Sequence, residues 1–383
     1  MNILFLSHTP LVEGKGTQRF FIEIGNYLHR QGHSVTLVEN EQEQLVNESR
    51  VEISHKPEFT SRKVQFIKKR MFYILPPGIV SENSDIIYVS SFNYLPLIPA
   101  SNQNIIFGMH VVYPQTVFIR NVLNRVKFRL KEILFTLLIV NRWNKGSNNI
   151  VFHALNLEQS QWIHKVTNGK YPTIILPNPV ECPKNSQDEK TQIICSFRIL
   201  YFGSLSEGKG FGTFFKIYHA LKDILLNRKD KVEFVVAGDG PMRDIARRES
   251  ETTSNFSYIV RPDDSAKLNL FSSCDVLVYP STLDNFPYLV VEAQIMGLPV
   301  IATDIPGVRD IILQDETGKL IEQNDQSSFV RQVLEYINMK NDNPYQYKKM
   351  RDIIANLSKR YCSKNVLPQY LDLFNKILEG KPI

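Results

Sequence analysis

The chain has 383 residues, 43% of them hydrophobic and 22% charged, with 45 Lys and Arg against 39 Asp and Glu for a net charge of +6. That length suits two domains of roughly 100 to 200 residues each, and the even mixture of signs excludes a disordered tail or a histone-like polycation. The surplus is uneven: residues 1–180 carry +7 and residues 181–383 carry −1, and within the first half residues 62–145 hold 12 basic against 3 acidic side chains.

The first apolar run, residues 2–7, has no cationic lead and stops at once, so it is expected to be a buried strand rather than a signal peptide. It leads into Glu13-Gly14-Lys15-Gly16-Thr17 and an amphipathic helix over 17–31. Glycines there allow backbone N–H groups at a helix N-terminus to approach a phosphate, and equally serve a tight turn. The spacing imitates a dinucleotide fingerprint, with Glu39 ending the second strand, but Arg19 stands where the third glycine belongs. Further strands are expected near 34–39, 85–90, 104–109, 149–152 and 173–176, with helices over 62–74, 116–143 and 156–166. His110 directly follows the strand that ends in Gly108-Met109. The eight-residue apolar stretch 133–140 is far short of the ~20 residues needed to span a bilayer.

Two basic segments interleave cations with apolar groups: Arg62, Lys63, Lys68, Lys69 and Arg70 within 61–76, and Arg120, Arg125, Lys127, Arg129 and Lys131 within 117–144. Cationic helices of this kind suit an anionic membrane surface, and they equally suit domain helices with a solvated basic face.

After Asn178-Pro179 a polar stretch at 181–192 lacks an apolar period and is taken as a linker. Strands then return near 197–202, 232–237, 256–260, 276–279 and 299–302, with helices over 211–226, 242–250, 264–273 and 288–296, and only helical patterns from 325 onward. Alternating strand and helix in both halves implies parallel sheets with covered faces. The expected architecture is two doubly wound α/β domains facing across a cleft, with ligand at the carboxyl ends of the strands. The boundaries are 1–180, a linker at 181–192, 193–360, and a C-terminal helix in 361–383 that packs back on the first domain.

In the second half, Lys209 lies in Gly203-Ser204-Leu205-Ser206-Glu207-Gly208-Lys209-Gly210, between a strand and a helix, where a cation faces an incoming diphosphate. Ala237-Gly238-Asp239-Gly240-Pro241 ends a strand and starts a helix, a turn that need not be more than structural. Asp284 precedes a helix and Glu292 lies inside it among Val290, Val291, Ala293 and Ile295. A carboxylate in such company needs a partner, either ligand hydroxyls or a protein cation.

With these segments in order the chain resembles the retaining GT-B glycosyltransferases of family 4, most specifically over 196–310 and more loosely in front. The resemblance implies transfer of a sugar from a nucleotide-diphosphate donor to a glycan or lipid-linked glycan, in bacterial cell-surface polysaccharide synthesis. It implies that Gly14 and Gly16 approach the donor diphosphate, that His110 lies beside the donor sugar, that Lys209 binds the diphosphate, that Glu292 holds the ribose and that Asp284 contacts the transferred sugar. Tyr288, Leu289 and Val290 add amides, and the base rests near Arg261 and Pro262 with Asp264 or Lys267 reading its edge. Ser204 stands where the family usually places Arg, and Arg243 or Arg309 are the candidate substitutes. No metal or other cofactor is expected.

Two other classes compete. A catalytically silent sugar-nucleotide-binding subunit would account for Ser204, and a nicotinamide-dependent dehydrogenase would use the first glycine loop and Glu39. Nucleic-acid binding is disfavoured because the basic and aromatic residues fit helices rather than a stacking platform. Cys182, Cys195, Cys274 and Cys362 are widely spaced, so they read as reduced thiols of a cytoplasmic protein, peripheral at the membrane through the basic segments.

Overall fold

The computed structural model describes residues 1–7, 16–40, 56–64, 67–69, 72–74, 83–90, 104–110, 149–183, 196–226, 228 and 230–383. Gly14, Cys195, most of the expected linker and the expected helix over 116–143 lie outside the described residues. The chain divides into two compact units, Met1–Pro179 with Ser363–Ile383, and Val180–Cys362.

In the first unit, β1 (Asn2–Ser7), α1 (Gly16–Arg30), β2 (Ser34–Asn40), β3 (Thr60–Val64), β4 (Ile67–Lys69), β5 (Phe72–Ile74), β6 (Ile86–Val89), β7 (Asn104–Gly108), β8 (Ile150–Ala154), α2 (Leu157–Thr167) and β9 (Thr173–Ile175) follow in turn. Seven strands form a parallel sheet in the order β3-β2-β1-β6-β7-β8-β9. Because side chains alternate along a strand, Ile3 and Phe5 join Tyr88 and Val151 on one face, against Phe20, Phe21, Ile24 and Leu28 of α1. Leu4, Leu6, Ile87, Phe107 and Phe152 line the opposite face with Ile163 of α2. Continuous apolar strands are what a sheet covered on both sides requires.

The second unit runs through β10 (Phe197–Phe202), α3 (Phe211–Leu225), β11 (Val232–Gly238), α4 (Arg243–Thr252), β12 (Phe256–Val260), α5 (Asp264–Ser273), β13 (Val276–Tyr279), α6 (Tyr288–Ile295), β14 (Val300–Thr303), α7 (Pro306–Arg309), β15 (Gly318–Ile321), α8 (Gln326–Asp342) and α9 (Pro344–Ser358). Its parallel sheet has the order β12-β11-β10-β13-β14-β15. Ile199, Tyr201, Phe234, Val236, Val278 and Ile301 pack there against Phe214, Tyr218, Phe329 and Val333. α10 (Ser363–Leu378) returns to the first unit and buries Val366, Tyr370, Phe374 and Ile377 in the core beside α1.

Two expectations are corrected, the helix over 62–74 and the reduced state of all four thiols, and two short elements are added. The helix expected over 62–74 is absent: Arg62 and Lys63 lie in β3 at the sheet edge, and β4 and β5 form an antiparallel hairpin pairing Ile67 with Ile74. Val64, Ile67, Phe72, Tyr73 and Ile74 are β-branched or aromatic and fit a pleated surface better than a helix. The short elements α7 and β15 are additions to the expected pattern. Cys182 and Cys362 are bonded as a disulfide across 180 positions, with Cα atoms 5.4 Å apart. Val180 N–H donates to the Tyr361 carbonyl at 3.0 Å and pairs in parallel with Cys362, which brings together two thiols whose sequence separation gives no hint of contact. Cys274 is free and buried, and burial pushes its thiol up to about 12. Among the described residues no helix is long and apolar enough to cross a membrane.

Candidate active site

A doubly wound sheet offers its ligand site where neighbouring strands send their connections in opposite directions. In the second unit that point lies between β10 and β13, which are adjacent although two strands separate them in sequence. After β10 the chain passes Gly203 to Ser206 and makes a single 3₁₀ turn, Glu207–Lys209. After β13 it runs from Pro280 to Pro287 before entering α6.

The two loops are stitched together. The Gly208 carbonyl accepts from Thr282 N–H at 3.3 Å and from Thr282 Oγ1 at 3.2 Å. Gly210 has φ +76°, and a Cβ there would lie 1.9 Å from the Pro280 carbonyl oxygen, so only glycine admits this approach. Lys209 is thereby held with Nζ 2.6 Å from Asp284 Oδ2. The same carboxylate oxygen accepts from Tyr279 Oη at 2.6 Å. Burial, and next the neighbouring carboxylate, push the Tyr279 phenol well above its ordinary value, which keeps it a donor. The Lys209 side chain is 40% exposed and that of Asp284 19%, so the ammonium reaches solvent while its counter-ion is mostly covered. Gly307 backs this loop, where a Cβ would meet the Asp284 carbonyl oxygen at 2.2 Å.

A second cluster joins α5 and α6. Glu292 is 9% exposed, and Lys267 Nζ lies 3.3 Å from its Oε1 and 3.2 Å from its Oε2. Lys267 also sits 2.9 Å from Asp264 Oδ1. Of the two partners open to Glu292, the structure supplies the protein cation. It also brings together Asp264, Lys267 and Glu292, which the resemblance assigns to the base and ribose.

The Gly-Asp-Gly turn is a clasp. Leu205 N–H donates to the Asp239 carbonyl at 2.9 Å and Met242 N–H to the Leu205 carbonyl at 2.9 Å, while a Cβ on Gly238 would lie 1.9 Å from the Gly203 carbonyl oxygen. Arg261, in the left-handed region at φ +43°, places Nη2 2.5 Å from Asp239 Oδ2, and Arg243 Nη1 lies 3.8 Å from Oδ1. Two guanidinium groups therefore stand on the turn that touches the exposed Ser204 loop. Arg309 instead pairs with Asp304 Oδ1 at 2.5 Å. Pro262 separates Arg261 from Asp263, the N-cap of α5. Tyr288, Leu289 and Val290 form the first turn of α6, capped by Pro287 without a side-chain bond. The Val290 amide donates to the Pro287 carbonyl at 3.1 Å, so it is engaged within the loop rather than held open for phosphate.

In the first unit Gly16 is exposed at the start of α1. Arg19 pairs with Glu23 at 2.7 Å. Glu39 is 2% exposed and accepts from Ser61 Oγ at 3.0 Å, a covered position for an acid that a dehydrogenase would need on its ribose. His110, half-buried after β7, has Nε2 2.8 Å from Tyr88 Oη and its ring 4.0 Å from that of Phe20. Lys209, Asp284 and His110 are legible in the sequence, whereas the partners Tyr279 and Tyr88 are not. Tyr279 carried a local signal in ending the strand just before the Asp284 loop.

Residues 185–360 match the model of the glycosyl transferases group 1 family. Among curated relatives, the chain is 27% identical over 205 residues to 2-deoxystreptamine N-acetyl-D-glucosaminyltransferase of Niallia circulans, covering 52% of this chain and 50% of that one. It is 24% identical over 372 residues to an uncharacterized glycosyltransferase of Haemophilus influenzae, covering 93% and 95%. The chain thus spans half the length of the first relative and nearly all of the second. Among solved structures, HepE of Anabaena in complex with UDP superposes with a TM-score of 0.68 at 14% identity, covering 98% of this chain and 100% of that one, a likeness of fold. Two Rossmann-like parallel-sheet units, the matched segment and these relatives lead to one assignment: the chain has the GT-B fold, and its second unit belongs to the glycosyl transferases group 1 family.

Proposed function

We propose that this protein transfers a hexose from a nucleoside-diphosphate donor to a glycan or lipid-linked glycan acceptor, with retention at the anomeric carbon, in the synthesis of a bacterial surface polysaccharide. The observation that carries the proposal is the Lys209 ammonium held 2.6 Å from Asp284 at the switch point of the second sheet. Breaking the bond from sugar C1 to the diphosphate oxygen builds negative charge on the leaving group and oxocarbenium character on the sugar. A pre-aimed ammonium meets the first. Asp284 meets the second, by contact with the transferred sugar, and Glu292 accepts from the ribose hydroxyls once Lys267 shares it. The acceptor hydroxyl attacks the face from which the diphosphate departs, and its proton passes to the departing phosphate oxygen, so no protein nucleophile is assigned. Lys209 supplies the neutralising charge for which other transferases use a divalent cation, and turnover should survive a chelator.

Sugar nucleotides screened by thermal shift, beginning with UDP-sugars, followed by release of nucleoside diphosphate with and without acceptors, test the proposal. Lys209→Ala and Glu292→Ala should each lower release by about 10²-fold or more, and full activity in both overturns the site. Ser204 favours a second reading, a subunit that binds sugar nucleotide without turning it over, and saturable binding with no release under any acceptor would establish it. The basic charge of residues 62–145 supports the further reading that the first unit meets anionic lipid that carries the acceptor. Sedimentation with anionic liposomes at low salt and release as salt rises is the expected result, and no binding at any salt removes this part.

A further inference from the structure

The first unit contains a buried polar chain that the donor contacts above leave unused. His153 lies within β8 with 0% exposure, and both ring nitrogens are engaged. Nε2 is 2.8 Å from the Leu176 carbonyl oxygen and 3.0 Å from Tyr370 Oη, and Nδ1 is 2.5 Å from Tyr88 Oη. A carbonyl can only accept, so Nε2 carries the hydrogen and Nδ1 the lone pair. Burial also pushes the His153 imidazole down to about 4, which keeps it neutral. Tyr370 donates in turn to the Pro177 carbonyl at 3.1 Å, which leaves its oxygen as an acceptor.

The direction of each bond now follows from the last. Tyr88 must donate its one hydrogen to His153 Nδ1, so its oxygen faces His110 as an acceptor. His110 Nε2, 2.8 Å away, therefore donates, and in the neutral ring the His110 lone pair is on Nδ1. Packing fixes the same geometry. The Phe20 ring lies 4.0 Å from that of His110. Met109 N–H donates to the His153 carbonyl at 2.9 Å, and the Met109 carbonyl accepts from Gln159 Nε2 at 3.1 Å. A Cβ on Gly108 would lie 2.3 Å from Tyr88 Oη, so the glycine two residues before His110 is what admits the phenol.

We propose that Tyr88 and His153 are positioning residues that hold His110 in a single tautomer, Nε2–H, and so present Nδ1 as an acceptor for a hydroxyl of the donor sugar. The inference rests on the reading of His110 as the neighbour of that sugar. A site built to accept from a hydroxyl rejects the analogue that lacks it far more strongly than a merely shaped pocket does. The relay is thus a specificity device as well as a support.

The test uses the full chain labelled with ¹⁵N-histidine and needs no substrate in its first arm. Ring correlations should show His110 and His153 protonated at Nε2 alone. Tyr88→Phe should leave His153 so and turn His110 into a mixture of tautomers. In the second arm, Tyr88→Phe should lower kcat by about tenfold, the equivalent of one lost hydrogen bond, with UDP affinity unchanged and with weaker discrimination against deoxy-sugar donors. His153→Gln, whose amide can donate to Leu176 and accept from Tyr88, should restore what His153→Leu loses. A wild-type His110 protonated at Nδ1, or a tautomer indifferent to Tyr88→Phe, overturns the proposal. So does unchanged kcat and selectivity in Tyr88→Phe when His110→Ala is inactive. Full activity in His110→Ala instead refutes the placement of His110 beside the sugar, a separate failure from that of the relay.

Discussion

Lys209 and His110 occupy comparable places, each just past the carboxyl end of a central parallel strand, yet the two units hold them by opposite means. Lys209 is fixed by charge: one carboxylate at 2.6 Å, a tyrosine on that carboxylate, and two loops that meet through glycines. His110 is fixed by a neutral, buried chain of Tyr88, His153 and Tyr370. The difference suits the ligand that the proposed function gives each. A diphosphate needs a full positive charge with room to exchange its counter-ion, whereas a sugar hydroxyl needs an uncharged acceptor pointed one way. The second unit is also closed covalently by Cys182–Cys362.

The comparison can be broken most severely at that disulfide. On the chain-entropy argument a loop of this length is worth at most about 5 kcal/mol, so Cys182→Ser should lower the denaturant midpoint of the second unit's transition while leaving that of the first in place. Next comes the charge itself. Lys209→Ala removes the ammonium that the proposed mechanism aims at the leaving group, and a loss of about 10² to 10³ in kcat is the expected cost. Lys209→Arg, which keeps the charge, should recover part of it.

The neutral relay predicts an acid limit in the first unit. His153 has its value lowered from 6.5 to about 4, so the unfolded chain binds the extra proton first. The stability that this group contributes is complete above pH 6.5 and is lost as pH falls toward 4. At about 1.4 kcal/mol per tenfold change the loss approaches roughly 3 kcal/mol. Urea titrations of wild type and His153→Gln between pH 7 and 4 should diverge by that amount, and parallel curves would show that the buried ring is not the sensor. The smallest effect is expected at Ser204. Ser204→Arg adds a cation to a loop already flanked by Arg243 and Arg261 on Asp239, so donor turnover should rise by no more than about tenfold. A larger gain would mean that those two guanidinium groups contribute nothing.

Much of this was legible beforehand because it is local. Apolar runs of four to seven residues fix strands, the intervening amphipathic stretches fix helices, and their alternation fixes parallel sheets. Lys209, Asp284 and Glu292 were visible because a cation or an acid in a glycine-rich or apolar setting is anomalous within a few positions of itself. The β4–β5 pair differs from the expected helix because basic residues spaced among apolar ones fit both periods, and there the β-branched and aromatic composition decides the matter.

What the sequence determined by itself was therefore most of the elements, the uneven charge and the polar groups of the second unit's site, each set by neighbours a few residues away. Only the tertiary structure decided who partners whom. Lys267 reaches Glu292 across 25 positions, Tyr88 joins His153 across 65, Tyr370 reaches it across 217, and Cys182 finds Cys362 across 180. Those contacts exist because parallel sheets place strands side by side irrespective of their order in the chain, and because buried polar groups must find partners among whatever the packing brings near.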